Sequence, residues 1–378
     1  MKKFFILFCI STLFFSCSES IETDYQDYLS KGYSEVLFIL NGGAETFSAY
    51  APSDESVYQN LQLVGHNGSS AAWPIDLLYA NGSLYTVCSG QNTIEQYDAK
   101  TLDYQDTIYL KNGYNPMTLC LLGDGSKAAV AGFESDEIIL VDLAEMEKTS
   151  DFVKAYEEAD LPKYDPEIKD PKVDSTNKNA SGENHPRATT GLATYGSVLY
   201  ASNVRYQKPV LLTDSDRNII YYKGYKAIAA GLFREGTLSV FEMTSGYENA
   251  VLIAEINLQA EYESLGGETY FPGNGLNPQS LFILEDKLHI ICTGNNGGDT
   301  QYYSDNMYIP TIEDMGVAYS KGDEIPGTDS DDGIILIMDL SDPERPRAES
   351  YLEIGGSPEG FRHSMDKINS IMYLAGVP

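Results

Sequence analysis

A short segment in which apolar and polar residues alternate recurs along this chain. Four clear copies lie at residues 93–98, 137–142, 237–242 and 334–339, and a fainter copy lies at 45–50. Each follows a glycine or polar turn, and the clear copies end in Asp or Glu. This alternation, with many β-branched and aromatic residues, is typical of a β-strand, and the terminal carboxylate favours a turn. The pattern predicts five equivalent strands.

Two more strands, joined by a tight turn, precede four of these segments, and a further strand follows several of them. The predicted hairpins pair 75–79 with 84–88, 117–122 with 127–131, 190–194 with 198–201, and 280–284 with 288–292. The predicted last strands are 107–110, 251–256 and 349–354. Asn81-Gly82 and Asp124-Gly125 supply the positive φ that two-residue hairpin turns need. The repeating unit is therefore four antiparallel strands.

The spacing of this unit predicts the fold class. Tyr50, Tyr97 and Val141 occupy equivalent places and lie 47 and 44 residues apart. A period in the forties with four strands per repeat is the signature of an all-β β-propeller, here spanning residues 34–378. Later repeats are further apart, which predicts insertions at 156–184, 205–232 and 295–332. Long irregular insertions in a compact domain are usually functional.

Several blade motifs resemble those of a known family. Asn115-Pro116-Met117 and Asn277-Pro278-Gln279 open blades, residues 88–94 join two strands, and Val141-Asp142 closes a strand. These motifs resemble the YVTN/YncE-like propellers of secreted bacterial proteins, which usually have seven blades. The resemblance covers about residues 34–378. It implies a propeller fold and export, without a single function.

Fewer blades are readable than the family usually has. Five full units are followed by segments 359–364 and 371–375, which have the pattern of a first and a second strand. The surplus second strand predicts that the chain is truncated within a sixth blade. The alternative is an intact ring of five or six blades that closes in a variant way.

The amino terminus has the pattern of an export signal. Lys2 and Lys3 precede an apolar stretch at 4–15, which is too short to span a bilayer. Residues 13–17, ending at Cys17, resemble a relaxed lipobox of bacterial lipoproteins. That resemblance implies a signal peptide at 1–16, lipid attachment at Cys17, and localisation in the cell envelope at the outer membrane, on its periplasmic or surface side. Residues 17–33 are then an acidic tether; the alternative is an ordinary cleaved signal.

The net charge and the cysteine content limit the classes of partner, covalent cross-link and metal site that can be expected. The formal net charge of −31 repels phosphate backbones, so nucleic acid is not expected as a partner. Cys88, Cys120 and Cys292 lie in apolar runs, which favours buried thiols over a disulfide framework. Their spacing matches no metal site, and no cofactor is expected. Asp329 and Asp331 are weak calcium candidates, since solvated acidic loops have the same composition.

Candidate ligand-binding residues lie directly before the predicted first strands of the blades, where propeller loops converge. They are His66, Trp73, Asn115, His185, Arg187, Asn277, Arg362 and His363. Each has a structural alternative: the two Asn residues before proline can stabilise turns, and Trp73 can pack between blades. The His and Arg side chains can lie on an outer rim, and His289 falls within a strand and is expected to be structural.

Enzyme motifs are scarce, because the sequence lacks GxSxG, HExxH and a glycine-rich phosphate loop after a strand. The sequence favours a lipid-anchored binding module for a small molecule, a glycan or a protein partner. The alternatives are a scaffold of an envelope complex and a lactonase-like hydrolase, so enzymatic activity stays open.

Overall fold

The structure is a computed structural model of the 378-residue chain. It describes residues 24–66, 71–123, 125–133, 135, 137–149, 153–154, 187–207, 210–211, 221–222, 225–229, 232–233, 236–244, 247, 249–267, 276–293, 307–309, 317–319, 333–354, 364–366 and 371–373. Two compact units are present: unit 1 is residues 1–119 with 145–147, and unit 2 is 120–144 with 148–378.

The fold is an all-β β-propeller built from antiparallel blades, as the repeat predicts. Blade 1 has the described strands β1 (Leu37–Asn41), β2 (Thr46–Ala51) and β3 (Ser56–Leu63). Blade 2 has β4 (Pro74–Ala80), β5 (Ser83–Cys88), β6 (Thr93–Asp98) and β7 (Tyr104–Tyr109). Blade 3 has β8 (Pro116–Leu122), β9 (Lys127–Gly132), β10 (Glu137–Asp142), β11 (Glu147–Lys148) and β12 (Val153–Lys154).

Blades 4 and 5 belong to unit 2, as does most of blade 3. Blade 4 contains β13 (Arg187–Tyr195), β14 (Val198–Gln207), β19 (Thr237–Met243) and β20 (Ala250–Asn257), with the short β18 (Leu232–Phe233) on β14. Blade 5 contains β21 (Pro278–Leu284), β22 (Lys287–Cys292), β25 (Ile334–Asp339) and β26 (Arg347–Glu353). The five alternating segments of the sequence are β2, β6, β10, β19 and β25, so their prediction as equivalent strands is confirmed. A last hairpin pairs β27 (Ser364–Asp366) with β28 (Ile371–Tyr373).

The tight turns have the backbone that their sequences predict. Asn81 and Gly82 have φ values of 51° and 82°, as a two-residue hairpin between β4 and β5 requires. Glu285 and Asp286 take φ values of 50° and 59° in the equivalent turn of blade 5, although neither is glycine. The right-handed twist of paired strands favours this turn geometry strongly enough to place two ordinary residues in the left-handed region.

Each unit has its own apolar core. In unit 1, Phe47 of β2 meets Tyr97 of β6 edge to face, with ring centroids 5.0 Å apart. In unit 2, Leu199, Ala201 and Phe241 form one fully buried cluster with residues of blade 3. A second cluster joins blades 4 and 5 through residues such as Leu238, Ile290 and Leu336. The middle strands contribute most of these side chains.

Part of the segment predicted as an acidic tether is a helix. Residues 24–31 form α1, and Tyr28 is buried against the aromatic ring of Tyr58. Burial raises the pKa of Tyr28 to about 12. Tyr33, beyond the helix, shares a 2.7 Å hydroxyl hydrogen bond with Tyr58. Residues 24–33 therefore pack on unit 1, whereas residues 1–23, including Cys17, lie outside the described residues.

Two of the predicted insertions contribute strands to one small sheet. The first supplies β15 (Val210–Leu211), β16 (Tyr221–Tyr222) and β17 (Tyr225–Ala229), and the second supplies β23 (Met307–Ile309) and β24 (Val317–Tyr319). β17 pairs in parallel with β23, through Lys226 opposite Met307 and Ala227 opposite Tyr308. The loops of blades 4 and 5 thus build a joint element.

A second, short helix, α2 (Leu258–Ser264), follows β20 in blade 4. Its Glu261 accepts hydrogen bonds from the Arg347 guanidinium and the Ala348 backbone N–H, at 2.7 and 2.9 Å. None of the helices in the described part of the chain is long and apolar enough to cross a membrane.

Cys88, Cys120 and Cys292 form no disulfide bonds. Cys88 and Cys292 are buried and Cys120 is half-buried, as expected for small apolar side chains. Burial raises the pKa of Cys88 to about 12, and the nearby Glu95 carboxylate adds to the shift. This thiol therefore stays protonated near neutral pH, which suits a packing role.

His289 of β22 is held against apolar surroundings. Its ring stacks on Phe282 of β21 with centroids 4.6 Å apart, and its buried Nδ1 has no hydrogen-bond partner among the described residues. Burial lowers the pKa of His289 below its ordinary value, and a hydrogen bond with the Lys287 backbone opposes only part of this shift.

We predict that His289 lowers the stability of the folded protein in mild acid. Because the folded pKa lies below the unfolded value of about 6.5, unfolded chains bind more protons in the window between the two. The contribution to stability is complete above the unfolded pKa and is lost as pH falls through the folded pKa. When the pH is lowered from about 7.5 to about 5.5, the melting temperature of His289→Gln should therefore fall less than that of the parent protein. An equal loss in both proteins, followed by circular dichroism, would contradict this assignment.

Candidate functional site

The candidate residues that the structure describes lie at one end of each blade. The first strand begins, the second ends and the third begins at this end, as the cross-strand pairs of Pro74 with Cys88 and of Cys88 with Thr93 show. We call it the entrance end. The insertions at 156–184, 205–232 and 295–332 all connect strands there, whereas the opposite end carries short turns such as Asn81-Gly82. Chain elaboration is thus confined to the entrance ends.

Three blade entrances share an unusual backbone at the residue before proline. Trp73, Asn115 and Asn277 have φ values of 46°, 50° and 54°, in the left-handed region. The carbonyl of Trp73 accepts a hydrogen bond from the Ser89 N–H at 3.1 Å, and that of Asn277 accepts the equivalent bond from Thr293 at 3.1 Å. The start of the first strand is therefore bonded to the residue just after the second strand.

The N–H of this residue is held by the blade before it. Glu45 Oε1 accepts a hydrogen bond from the Trp73 N–H at 3.0 Å, and Asn92 Oδ1 accepts one from the Asn115 N–H at 2.8 Å. Glu45 and Asn92 both stand directly before a third strand. Gly236 is their equivalent in blade 4, and a Cβ added there would lie 2.5 Å from Pro278 Cδ. In all three cases the residue before a third strand lies close to the entrance of the next blade.

The two asparagines use their side chains within these turns. The Ser89 hydroxyl donates a hydrogen bond to Asn115 Oδ1. Asn277 is almost fully buried, and its Oδ1 accepts a hydrogen bond from Gln279 Nε2 at 3.2 Å. Asparagine tolerates the left-handed region better than other residues with a Cβ. These contacts support the turn-stabilising interpretation of Asn115 and Asn277.

Trp73 departs from this pattern. A bulky side chain in the left-handed region costs about 1–2 kcal/mol. Burial does not repay this cost, because the side chain is 62% exposed. This exposure does not fit packing of Trp73 between blades. The backbone N–H and C=O of Trp73 are both hydrogen-bonded, which fixes the backbone at this position. The side chain of Trp73, the only tryptophan in the chain, is exposed to solvent.

His66 lies in the connection that leads to this entrance. Its exposed imidazole stacks on Tyr104 with ring centroids 3.7 Å apart and planes 5° from parallel. The backbone N–H groups of Gly65 and His66 donate to the two carboxylate oxygens of buried Glu95, each at 2.8 Å. Tyr97 donates to Glu95 Oε2 at 2.5 Å, and burial followed by this bond raises the pKa of Tyr97. The connection is therefore fixed to blade 2.

Sequence reasoning missed the polar groups that hold the entrance ends together. Asn41 Nδ2 donates to Thr46 Oγ1 and Ser48 Oγ, at 3.1 and 2.7 Å. In blade 4, Asn203 Nδ2 donates to Thr237 Oγ1 and Ser239 Oγ, at 3.2 and 2.8 Å. The shared signal is a Thr-x-Ser start of the third strand. Thr93-x-Glu95 is its variant in blade 2.

Asp76 of β4 was also missed. It is buried, and its Oδ2 accepts a hydrogen bond from the Leu119 N–H of β8 at 2.8 Å. This bond joins the first strands of two successive blades within unit 1. Its sequence signal is weak, because Asp76 lies in an otherwise alternating strand.

Of the other candidate residues, the structure describes only Arg187. Arg187 begins β13, and its backbone pairs with Tyr206. His185, Arg362, His363, Asp329 and Asp331 lie outside the described residues. Within the described ranges, no three His, Cys, Asp or Glu side chains are grouped to hold a metal ion.

Comparisons with known proteins found only distant structural similarities. No protein-family model matches the chain, and no curated protein matches it. A candidate 6-phosphogluconolactonase from Bacteroides uniformis is 11% identical with a TM-score of 0.42, covering 77% of this chain and 71% of its own. A protein from Lactobacillus plantarum is 14% identical with a TM-score of 0.41, covering 77% and 69%. A functionally unknown protein from Desulfotomaculum acetoxidans is 7% identical with a TM-score of 0.42, covering 91% and 89%. Membership of the YVTN/YncE-like family stays a prediction.

We predict that Trp73→Asn stabilises the protein. Asparagine adopts the left-handed backbone conformation more readily than tryptophan. The free energy of unfolding of the variant, measured in urea, should therefore rise by about 1 kcal/mol. The reverse change, Asn115→Trp, should lower it, because it also removes the oxygen that accepts the Ser89 hydroxyl. A Trp73→Asn protein less stable than the parent would show that the indole makes stabilising contacts.

Proposed function

We propose that this protein is a lipid-anchored β-propeller of the cell envelope that recognises a ligand at the entrance ends of its blades. One observation carries the recognition role: Trp73 holds a large aromatic ring in solvent on a strained backbone where two equivalent entrances use asparagine. Strain that gives no packing in return is expected at functional sites.

The surroundings of Trp73 support recognition by a prepared surface. Its N–H and C=O are both bonded, and the neighbouring connection is fixed by Glu95, so little backbone ordering remains to be lost on binding. Aromatic side chains supply contact area at a low cost in conformational entropy. The ligand classes consistent with this surface are a small molecule, a glycan or an exposed segment of a partner protein.

The recognition role is tested by a ligand screen with two readouts. Neutral oligosaccharides, organic cations, cobalamins and divalent metal ions are added, and melting temperature and tryptophan emission are recorded. Since Trp73 is the only tryptophan, its emission reports this entrance alone. We expect one class to raise the melting temperature by mass action and to change the emission with the same saturation curve.

Trp73→Asn is the control for the screen and should abolish that rise in melting temperature. A rise of equal size in the variant would place the ligand elsewhere. No rise with any class would favour the scaffold alternative, and turnover of lactones would favour the hydrolase.

The anchoring role rests on the lipobox resemblance at Cys17 and is tested separately. Cys17→Ala should move the protein from the membrane fraction to the soluble fraction, because the acyl chains need this thiol. Cys120→Ala, a change at a half-buried cysteine outside any disulfide, should leave the partition unchanged. Unaltered membrane partition of Cys17→Ala would contradict the anchor.

A further inference from the structure

The described segments next to Trp73 contain a carboxylate and no basic side chain of Lys or Arg. Glu45 Oε1 is bonded to the N–H of Trp73 itself, at 3.0 Å, so a carboxylate lies within one side-chain length of the indole. The described segments that build this entrance are 42–45, 64–66, 71–73 and 89–92, and they contain no Lys or Arg. An exposed aromatic ring beside an anionic group has the two features that attract a cation.

Basic residues of unit 1 lie elsewhere. Between residues 24 and 119 the only Lys or Arg side chains are Lys31, Lys100 and Lys111. Lys100 is in the turn between β6 and β7, at the end of blade 2 opposite its entrance. Lys111 lies over the ring of Tyr114, 5.9 Å from its centroid, near the Asn115 entrance. The Asn115 entrance thus has a cation close by, whereas the Trp73 entrance has Glu45.

The charge of the whole chain acts in the same direction. A formal net charge of −31 raises the local concentration of cations and disfavours phosphate, sulfate or carboxylate ligands. A tryptophan face is also the strongest aromatic partner for an ammonium group. A neutral ligand could stack on the indole and donate a hydrogen bond to Glu45, but it would gain nothing from this field.

We propose that the Trp73 entrance binds a small organic cation, with its ammonium group over the indole and beside the Glu45 carboxylate. This inference rests on the proposed recognition function and names the chemical class of its ligand. Glu45 has two roles here: one oxygen fixes the backbone of Trp73, and the charge of the group selects the ligand.

The test compares two probes of nearly the same shape. Choline carries a quaternary ammonium group, and 3,3-dimethylbutan-1-ol replaces its nitrogen by carbon without charge. Binding is followed by the emission of Trp73 in the intact protein. We expect a saturable change with choline and an affinity roughly fivefold or more above that for the neutral alcohol. Added salt should weaken choline binding more than binding of the alcohol.

Glu45→Gln separates the two roles of Glu45. The amide oxygen can still accept the Trp73 N–H, so the backbone is retained while the charge is removed. We expect this variant to lose most of its preference for choline and to keep its weak affinity for the alcohol. Asp106→Asn is the matched control, since it removes one charge from exposed β7 and keeps an acceptor for the Thr107 N–H. The control should retain the preference.

Other results would overturn the cation assignment. Equal affinities for the two probes would show a site that reads shape only, and a response to methyl pyranosides alone would show a glycan site; in both cases the recognition function would stand. A response to phosphatidylcholine vesicles without one to soluble choline would show membrane contact instead. An unchanged emission with choline would also refute it. The recognition function fails separately, when no ligand class raises the melting temperature.

Discussion

The left-handed residue before proline at the start of a blade is the constraint on which the rest of the entrance depends. Proline fixes its own φ and restricts the residue before it, so the chain can enter the first strand in few ways. At Trp73 the N–H and the C=O are both bonded, the first to Glu45 and the second to Ser89. This double capture determines where β4 begins and in which direction the side chain leaves the backbone.

The side chain of the residue before proline differs between blades, although the backbone at this position has the same conformation. Asn115 and Asn277 use theirs for local hydrogen bonds, which makes the entrance more stable. Trp73 gives up this local bond and exposes its ring. At Trp73 both the N–H and the C=O of the residue are bonded, so the side chain can differ there without loss of strand register.

The strands could be predicted from the sequence because their signals are local. Alternation over about six residues identifies a strand, and Asn81-Gly82 identifies its turn, without knowledge of distant contacts. The position of Trp73 at a blade entrance was predicted for the same reason. Its exposure was not, since a tryptophan before proline can pack or project with the same sequence. The two asparagines in equivalent places do carry a signal of positive φ that sequence reasoning could have used.

Features that depend on distant pairing could not be predicted. The parallel pairing of β17 with β23 joins Lys226 to Met307, and neither segment has a hairpin signal for the other. The packing of α1 on unit 1 depends on the contact between the Tyr28 and Tyr58 rings. The acidic composition of this segment gives no sign of that contact. Buried carboxylates are equally difficult: Glu95 and Asp76 look like solvated residues until their backbone donors are located.

The confinement of insertions to the entrance ends follows from how these ends are closed. A backbone hydrogen bond joins the end of the last strand to the residue before the third strand in four blades: Val64 to Glu45, Leu110 to Asn92, Leu258 to Gly236, and Ile354 to Gly333. Loop closure costs free energy only slowly with length, so a loop between such pinned ends can lengthen without moving the strands. At the opposite ends, the two-residue turns between first and second strands have no such freedom, because they must match the strand twist. Loops can therefore lengthen at this end without disturbing the blades, and this freedom is compatible with the recognition role that we propose for it.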